Sequence, residues 1–352
     1  MHKMKILVSA LEHSANIHLK SLKKELGDDI EFVGIFDSEL GKSIVDLRSL
    51  SIMGFVDAFK KLRFFFKLNT QMAELASEVD KVLLIDSSGF NLPLAKKIKK
   101  RYPDKEIIYY ILPQAWAWKK KRIPVLAKTI DHLASILPFE KDYYPPDAPI
   151  TYVGHPLLDQ IKNFKEKLDA DIKTILFMPG SRKGEISKLM PVYHEVRDSL
   201  KDIDAVIAIP EYFTQEEVDA LYGDLSNFKV VYDSHKALYD ADFAFICSGT
   251  ATLEASLIGT PFILSYIAKS LDYFIASRLV KLNHLGLANI MFSKFSDKEI
   301  HPEFIQDEVD AQNLLDAYKN YNRDTFLADS KRLREYLQGG SSKNVAKIVS
   351  HV

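Results

Sequence analysis

Short apolar runs rich in valine, isoleucine and aromatic residues recur along the chain. They fall at Ile6–Val8, Phe32–Ile35, Val82–Ile85, Ile107–Ile111, Ile175–Phe177, Ala205–Ile209, Val230–Tyr232, Phe243–Ile246 and Phe262–Leu264. Between them lie segments of helical character, among them Leu19–Leu26, Leu94–Lys100, Ile186–Leu200 and Thr252–Ile258. A strand buried on both faces reads as a continuous apolar run, and its alternation with helices predicts parallel α/β layers. The pattern pauses after Gly154-His155-Pro156, crosses a charged stretch from Asp159 to Asp171, and resumes at Lys173. A chain of 352 residues also exceeds what one hydrophobic core usually serves. The expectation is therefore α/β, two doubly wound Rossmann-like domains facing a cleft, spanning 1–165 and 166–352. The C-terminal helix is free to pack back on the first.

In such sheets ligands gather where the carboxyl ends of strands lead into helices. Two turns in the second half have suitable chemistry. Gly180, Ser181, Arg182 and Gly184 follow the Ile175–Phe177 run. The glycines permit a tight turn, Ser181 offers a hydroxyl, and Arg182 is a permanent cation suited to a diphosphate. Ser248, Gly249 and Thr250 follow Phe243–Ile246 and open a helix whose free amides and positive dipole end suit phosphate oxygens. Glu254 lies one turn further, placed to accept from a ribose diol. Taken singly, either turn also reads as an ordinary helix cap; two in one unit favour a phosphate site. Neither is a Walker loop or a G-x-G-x-x-G fingerprint, which counts against ATP chemistry and hydride transfer.

These turns belong to an ordered series. Met178–Arg182, Ser248–Glu254 and Leu287-Ala288-Asn289-Ile290 in the second half join five segments of the first. Those are Ile85-Asp86, Phe90-Asn91, Trp116-Ala117-Trp118, Leu137-Pro138-Phe139-Glu140 and Val153-Gly154-His155-Pro156. In this order they resemble the lipid-A-disaccharide synthases, glycosyltransferase family 19, from Leu7 to about residue 340. The resemblance implies the glycosyltransferase B fold. It also implies an inverting transfer from UDP-2,3-diacylglucosamine to 2,3-diacylglucosamine 1-phosphate, with a β(1→6) bond, release of UDP, and no cofactor or metal. UDP-sugar contacts are implied at Ser14, Gly180, Ser181, Arg182, Ser248, Gly249, Thr250, Glu254 and Asn289.

Two loops depart from the family pattern. G-E-A-S-G-D becomes Leu11-Glu12-His13-Ser14-Ala15-Asn16, and D-x-P-D-F-N becomes Asp86-Ser87-Ser88-Gly89-Phe90-Asn91. Glu12 and Asp86 are the carboxylates that remain. Inverting transfer needs a base for the acceptor hydroxyl and positive charge or amides for the leaving UDP. Asp86, at a strand end, is the first choice for the base, with a helix N-cap as its other reading and Glu12 as the alternative base. Of Trp116 and Trp118 one is expected in the core, and the other stays open. His155 is read as a substrate contact or an interdomain structural residue. Rival functions are another UDP-sugar glycosyltransferase, acting on the peptidoglycan lipid precursor, a UDP-N-acetylglucosamine 2-epimerase, and an inactive nucleotide-sugar scaffold.

A diacylated acceptor requires access to lipid. From Ile52 to Leu68, apolar residues at 52, 55, 56, 59, 62 and 66 form a helical stripe beside Lys60, Lys61, Arg63 and Lys67. With Phe64 and Phe65 as surplus apolar surface, Phe55, Phe59, Leu62, Phe64, Phe65 and Phe66 are expected to dock on an anionic membrane. The basic clusters Lys96–Arg101 and Lys119–Arg122 would extend that contact.

Composition narrows the remaining classes. Hydrophobic residues at 47% and charged residues at 27% are globular values. A formal net charge of -1 removes a globally basic nucleic-acid binder. The single cysteine, Cys247, leaves no intramolecular disulfide and fits a reducing compartment. The triplets Asp169–Asp171, Asp202–Asp204 and Asp240–Asp242 fall in the linker or before strands, so no metal is expected. The apolar stretch after Lys5 is too short for a signal-peptide core, and no run reaches the length of a membrane span. A cytoplasmic protein peripherally attached to the inner membrane is the resulting expectation, its oligomeric state open.

Overall fold

In the computed structural model, residues 3–45, 58–268 and 284–351 are described, with side chains from Arg63 onward in the helix that begins at Ala58. The chain divides into two compact units, Met1–Asp159 with Leu337–Val352, and Gln160–Tyr336.

The first unit alternates strand and helix as β1 (Met4–Ser9), α1 (His13–Leu26), β2 (Ile30–Ile35), β3 (Lys42–Ser43), α2 (Ala58–Leu75), β4 (Lys81–Ile85) and α3 (Ser88–Arg101). It continues through β5 (Ile107–Tyr110), α4 (Ala115–Trp118), α5 (Ile123–Thr129), β6 (His132–Ser135), β7 (Ile150–Tyr152) and α6 (Pro156–Gln160). Its sheet runs β3-β2-β1-β4-β5-β6-β7, with every pairing parallel. β4 and β5 are wholly buried, as their unbroken apolar runs require.

The second unit comprises β8 (Thr174–Met178), α7 (Lys183–Ser199), β9 (Asp204–Ala208), α8 (Gln215–Tyr222), β10 (Lys229–Val231), α9 (Ser234–Asp240), β11 (Phe243–Cys247) and α10 (Thr250–Ile258). There follow β12 (Phe262–Tyr266), α11 (Leu287–Phe292), β13 (Glu303–Ile305), α12 (Ala311–Lys319) and α13 (Arg323–Leu337). Its parallel sheet is ordered β10-β9-β8-β11-β12-β13. The final helix, α14 (Ser341–Ser350), returns to the first unit, where Val345, Ala346 and Val349 join the core of Ile6, Val8 and Leu83. Polar bonds hold it there. Tyr110 and Ser341 share a hydroxyl contact at 2.7 Å, and Asp159 accepts from the amides of Gly340 at 2.5 Å and Ser342 at 3.1 Å.

Strand order reverses between β1 and β4 in one sheet and between β8 and β11 in the other. Chain leaving a strand at such a switch point diverges from its neighbour and opens a crevice. Glu12, Asp86, Gly180 and Ser248 each follow one of these four strands.

The helix expected over Ile52–Leu68 is only partly within the described residues, which leave Phe55 outside, along with the side chains of Phe59 and Leu62. From Arg63 its buried face is Leu68, Asn69, Met72 and Ala73. Phe64 and Phe65 are not surplus surface: both pack against the core, and Phe65 meets Phe90 edge-on with centroids 6.1 Å apart. Phe66, counted in the apolar stripe and expected at the membrane, is 64% exposed beside exposed Arg63 and Lys67. The basic cluster on α3 is largely engaged within the protein. Lys97 donates to Thr70 Oγ1, Lys99 pairs with Asp131, and Arg101 with Glu74. Among the described residues no helix is long and apolar enough to cross a membrane.

Candidate active site

In the first unit the chain leaves β4 through two consecutive residues in the left-handed region, Asp86 at φ 51° and Ser87 at φ 43°. Neither is glycine, so the turn is strained and must be held from outside. The restraint is a buried polar set. Asn91, fully buried on α3, donates its amide to the carbonyls of Ile85 at 3.1 Å and Asp86 at 2.8 Å. Its own oxygen accepts from Ser9 Oγ at 2.6 Å. The Tyr109 hydroxyl adds a second bond to the Asp86 carbonyl at 2.7 Å.

Asp86 does not serve as the helix cap. Ser87 occupies that position, without a capping side-chain bond. Burial, and then the negative charge of Glu12, raise the Asp86 carboxyl above its ordinary value. Glu12 is exposed, and its Oε1 accepts from Ser87 Oγ at 3.2 Å, which ties the β1 and β4 turns together. Ser14 is exposed on the first turn of α1. Arg122 supplies positive charge nearby, donating to Ser88 Oγ at 2.9 Å.

One departure from the family pattern, Asn16, has a local cause. Asn16 donates its amide to the carbonyls of Ala10 at 2.9 Å and Glu12 at 2.8 Å, and accepts from the Asp37 amide at 2.7 Å. An ionised aspartate has no hydrogen to donate, so the amide suits the two carbonyls at this position.

In the second unit, Gly180 leaves β8 at φ 108°. A Cβ there would stand 2.8 Å from Glu185 Oε2 and 3.2 Å from Cys247 Sγ, and the positive φ strains any residue but glycine. Glu185, nearly buried, holds Arg182 at 2.8 Å while the guanidinium stays 80% exposed. Burial and the Glu185 charge push the Cys247 thiol up to about 12, which excludes it as a nucleophile. Gly184, expected to shape the turn, instead lies inside α7. The exposed ring of Tyr212 is pinned by its hydroxyl to the Ser181 carbonyl.

At the end of β11, Ser248 is half-buried while Gly249 and Thr250 are exposed. Gly249 caps α10 at φ 155° without a side chain, so the amides of Thr250 and Ala251 keep their donors for a ligand, while that of Thr252 is bonded to the Gly249 carbonyl at 3.3 Å. Glu254 sits on the next turn, 7% exposed, in contact with His235 Nδ1.

Three further residues singled out in the sequence are buried in the fold. Asn289 is fully buried and saturated: it donates to His301 O and Glu303 Oε1 and accepts from the amides of Ile300 and His301. Trp116 lies in the core with its ring 5.0 Å from Phe139, while the side chain of Trp118 is outside the described residues. His155 is 4% exposed and neutral, its value lowered to about 4 by burial and then by His18.

Sequence reasoning missed Ser9, Tyr109, Arg122, Glu185 and His235. Ser9 and Tyr109 stand within or beside apolar strands, where a polar atom gives no periodic signal. Arg122 and His235 become neighbours of the site only on folding, whereas Glu185 lies three residues after Arg182 and pairs with it within one helical turn.

Residues 6–348 match the family described as lipid-A-disaccharide synthetase. The chain is 48% identical over 353 residues to a lipid-A-disaccharide synthase of Helicobacter pylori strain G27, covering 97% of this chain and 96% of that protein. It is 47% identical over 372 residues to the Campylobacter jejuni strain RM1221 enzyme of the same name, covering 98% and 99%. Among solved structures, MurG of Acinetobacter baumannii aligns with a TM-score of 0.56 at 13% identity, covering 98% of both chains. A UDP-GlcNAc 2-epimerase of Neisseria meningitidis aligns with a TM-score of 0.60 at 12% identity, again covering 98% of both. At that identity the likeness concerns the fold, and the glycosyltransferase B architecture is the one this chain adopts.

Proposed function

The chain belongs to the lipid-A-disaccharide synthetase family and is a hexosyltransferase of lipid A biosynthesis, and from that premise we propose its substrates and the work of each half-site. The donor is UDP-2,3-diacylglucosamine and the acceptor 2,3-diacylglucosamine 1-phosphate. Asp86 takes the proton from the acceptor 6-hydroxyl as that oxygen bonds to the anomeric carbon. The bond from that carbon to the UDP oxygen breaks, and UDP leaves with the electron pair. Arg182 and the α10 amides stabilise the charge on the departing diphosphate. Glu12 raises the basicity of Asp86, and Glu254 takes the ribose.

The observation that supports this most is the raised carboxyl of Asp86, set at a switch point on a strained turn that Asn91 and Tyr109 hold. A carboxylate with a raised pKa is a stronger proton acceptor and costs strain to keep in place, a combination typical of catalytic bases. The test is UDP release from the donor, with and without acceptor, in wild type and Asp86→Asn. Acceptor-dependent release that falls by about 10²–10⁴ in folded Asp86→Asn supports the assignment. Release that survives the change moves the base to Glu12. The face of α2 carrying Arg63, Phe66 and Lys67 is the proposed contact with an anionic membrane, on the cytoplasmic side where the donor is made.

A further inference from the structure

Glu254 has an uneven environment. It rises from α10, a helix buried on every residue from Thr252 to Ile258, and its Oε1 is sealed from solvent with no formed hydrogen bond, His235 Nδ1 being the ion-pair neighbour pressed against it. No described residue donates to Oε2. His235 comes from the neighbouring helix, α9, where Asp233 fixes the first turn by accepting from the Lys236 amide at 3.0 Å. The imidazole itself is 64% exposed, so its outer edge faces water and its inner nitrogen faces the carboxylate. A carboxylate with one oxygen engaged cannot swing freely, and its second oxygen keeps a fixed direction.

We propose that His235 is the positioning residue of the nucleotide half-site, holding Glu254 by Oε1 so that Oε2 is presented to a ribose hydroxyl of UDP. The inference rests on the reading of Glu254 as the ribose acceptor. It assigns a role to a residue outside the phosphate turns, on a different helix from the carboxylate it serves. The charged groups acting on the imidazole are Glu254 from α10 and Asp233 from its own helix, and both favour the protonated ring. Lys236, beside it, is committed to Asp240. A protonated imidazole binds a carboxylate more strongly than a neutral one, so the grip on Glu254 weakens as pH rises through the raised His235 value.

The experiment is calorimetric titration of the full chain with UDP from pH 5.5 to 8.5, in wild type, Glu254→Gln, His235→Ala and His235→Asn, with circular dichroism to confirm folding. Asparagine places an uncharged donor close to where Nδ1 stands. The expected results are UDP affinity about 3- to 10-fold weaker in His235→Ala, most of it recovered in His235→Asn. The ratio of wild-type to His235→Asn affinity should decline as pH rises. With substrate, His235→Ala raises KM for the UDP-sugar and leaves kcat within about twofold. If Glu254→Gln weakens UDP but His235→Ala binds it as tightly as wild type, or more tightly, the positioning role is wrong and the imidazole is a bystander or a competitor. A wild-type to His235→Asn ratio independent of pH overturns it as well. If Glu254→Gln itself leaves UDP affinity unchanged, the ribose reading fails first and the role of His235 falls with it.

Discussion

The side-chain amide of Asn91 reaches back to the carbonyl of Asp86 at 2.8 Å, and through that bond a helix fixes the backbone of the proposed base. Asn91→Ala would leave the carbonyls of Ile85 and Asp86 and the hydroxyl of Ser9 without this partner in a buried place. We expect a loss of about 2 kcal/mol or more in urea unfolding. A fall in kcat should exceed any change in KM for the donor, because the amide touches neither the diphosphate turn nor α10. Equal effects on both parameters would mean that Asn91 supports the fold alone.

Glu12 acts on Asp86 through charge. The base works ionised, so its rate falls as pH drops through the Asp86 value, which burial and Glu12 both raise. Glu12→Gln removes the second contribution. The acid limb of the kcat profile should therefore move to lower pH, with activity retained on the neutral plateau. A limb that stays in place would exclude electrostatic coupling between the two carboxyls.

Glu140 provides a test of stability with a definite sign. It is 1% exposed, and its Oε2 lies 2.5 Å from Ser135 Oγ. That hydroxyl also stands 3.0 Å from the Leu137 carbonyl and 3.2 Å from the Leu137 amide. A serine has one hydrogen to donate. If it goes to the Leu137 carbonyl, the short contact needs a proton from the carboxyl itself. Burial accordingly raises Glu140 from its usual 4.5 to about 8. The folded state then keeps a proton that the unfolded state has lost, so stability declines as pH rises from about 4.5 to about 8. The swing is on the order of 5 kcal/mol. Glu140→Gln should flatten that decline in denaturant midpoints measured across the window; an unchanged slope would show Glu140 ionised in the fold.

On α2 the exposed phenylalanine separates membrane contact from packing. Phe66→Ser should reduce sedimentation with anionic liposomes and leave thermal stability within about 0.5 kcal/mol, since the side chain is already in water. Phe64→Ser with Phe65→Ser should instead cost about 2–4 kcal/mol, because both rings pack on the core. Full sedimentation by Phe66→Ser would remove this face from lipid binding.

The sheets were legible wherever strands were apolar throughout. β6, β7, β3 and β13 were not, because they are two to four residues long and carry His132, Ser135, Thr151, Lys42 or Glu303. Edge and near-edge positions tolerate such residues, and so short a run has no readable period. Within the site, Asp86, Glu12, Arg182 and Glu254 announced themselves as charges after apolar runs. Of the groups that hold them, Tyr109 and His235 come from other elements and only folding makes them neighbours, whereas Asn91 and Glu185 lie five and three residues on from Asp86 and Arg182. Asn289 misled for the opposite reason: a polar residue after a glycine turn looks the same whether it faces a ligand or closes a loop. Phe64 and Phe65 on α2 were read as surplus surface because a phenylalanine beside lysines looks the same in sequence whether it packs on a sheet or faces lipid.

The return of α14 to the first unit sets an order on synthesis. Ile6 and Val8 leave the ribosome early, yet the core they share with Val345 and Val349 is incomplete until the last helix emerges. The second unit is one continuous stretch and needs no later residues for its own core. Although domains made first usually fold first, here the half translated second can finish before the half translated first. The β1 and β4 turns bearing Glu12 and Asp86 rest on a sheet whose core closes only once Ser341–Ser350 has been made, so a nascent chain can complete its nucleotide half before the half with the base.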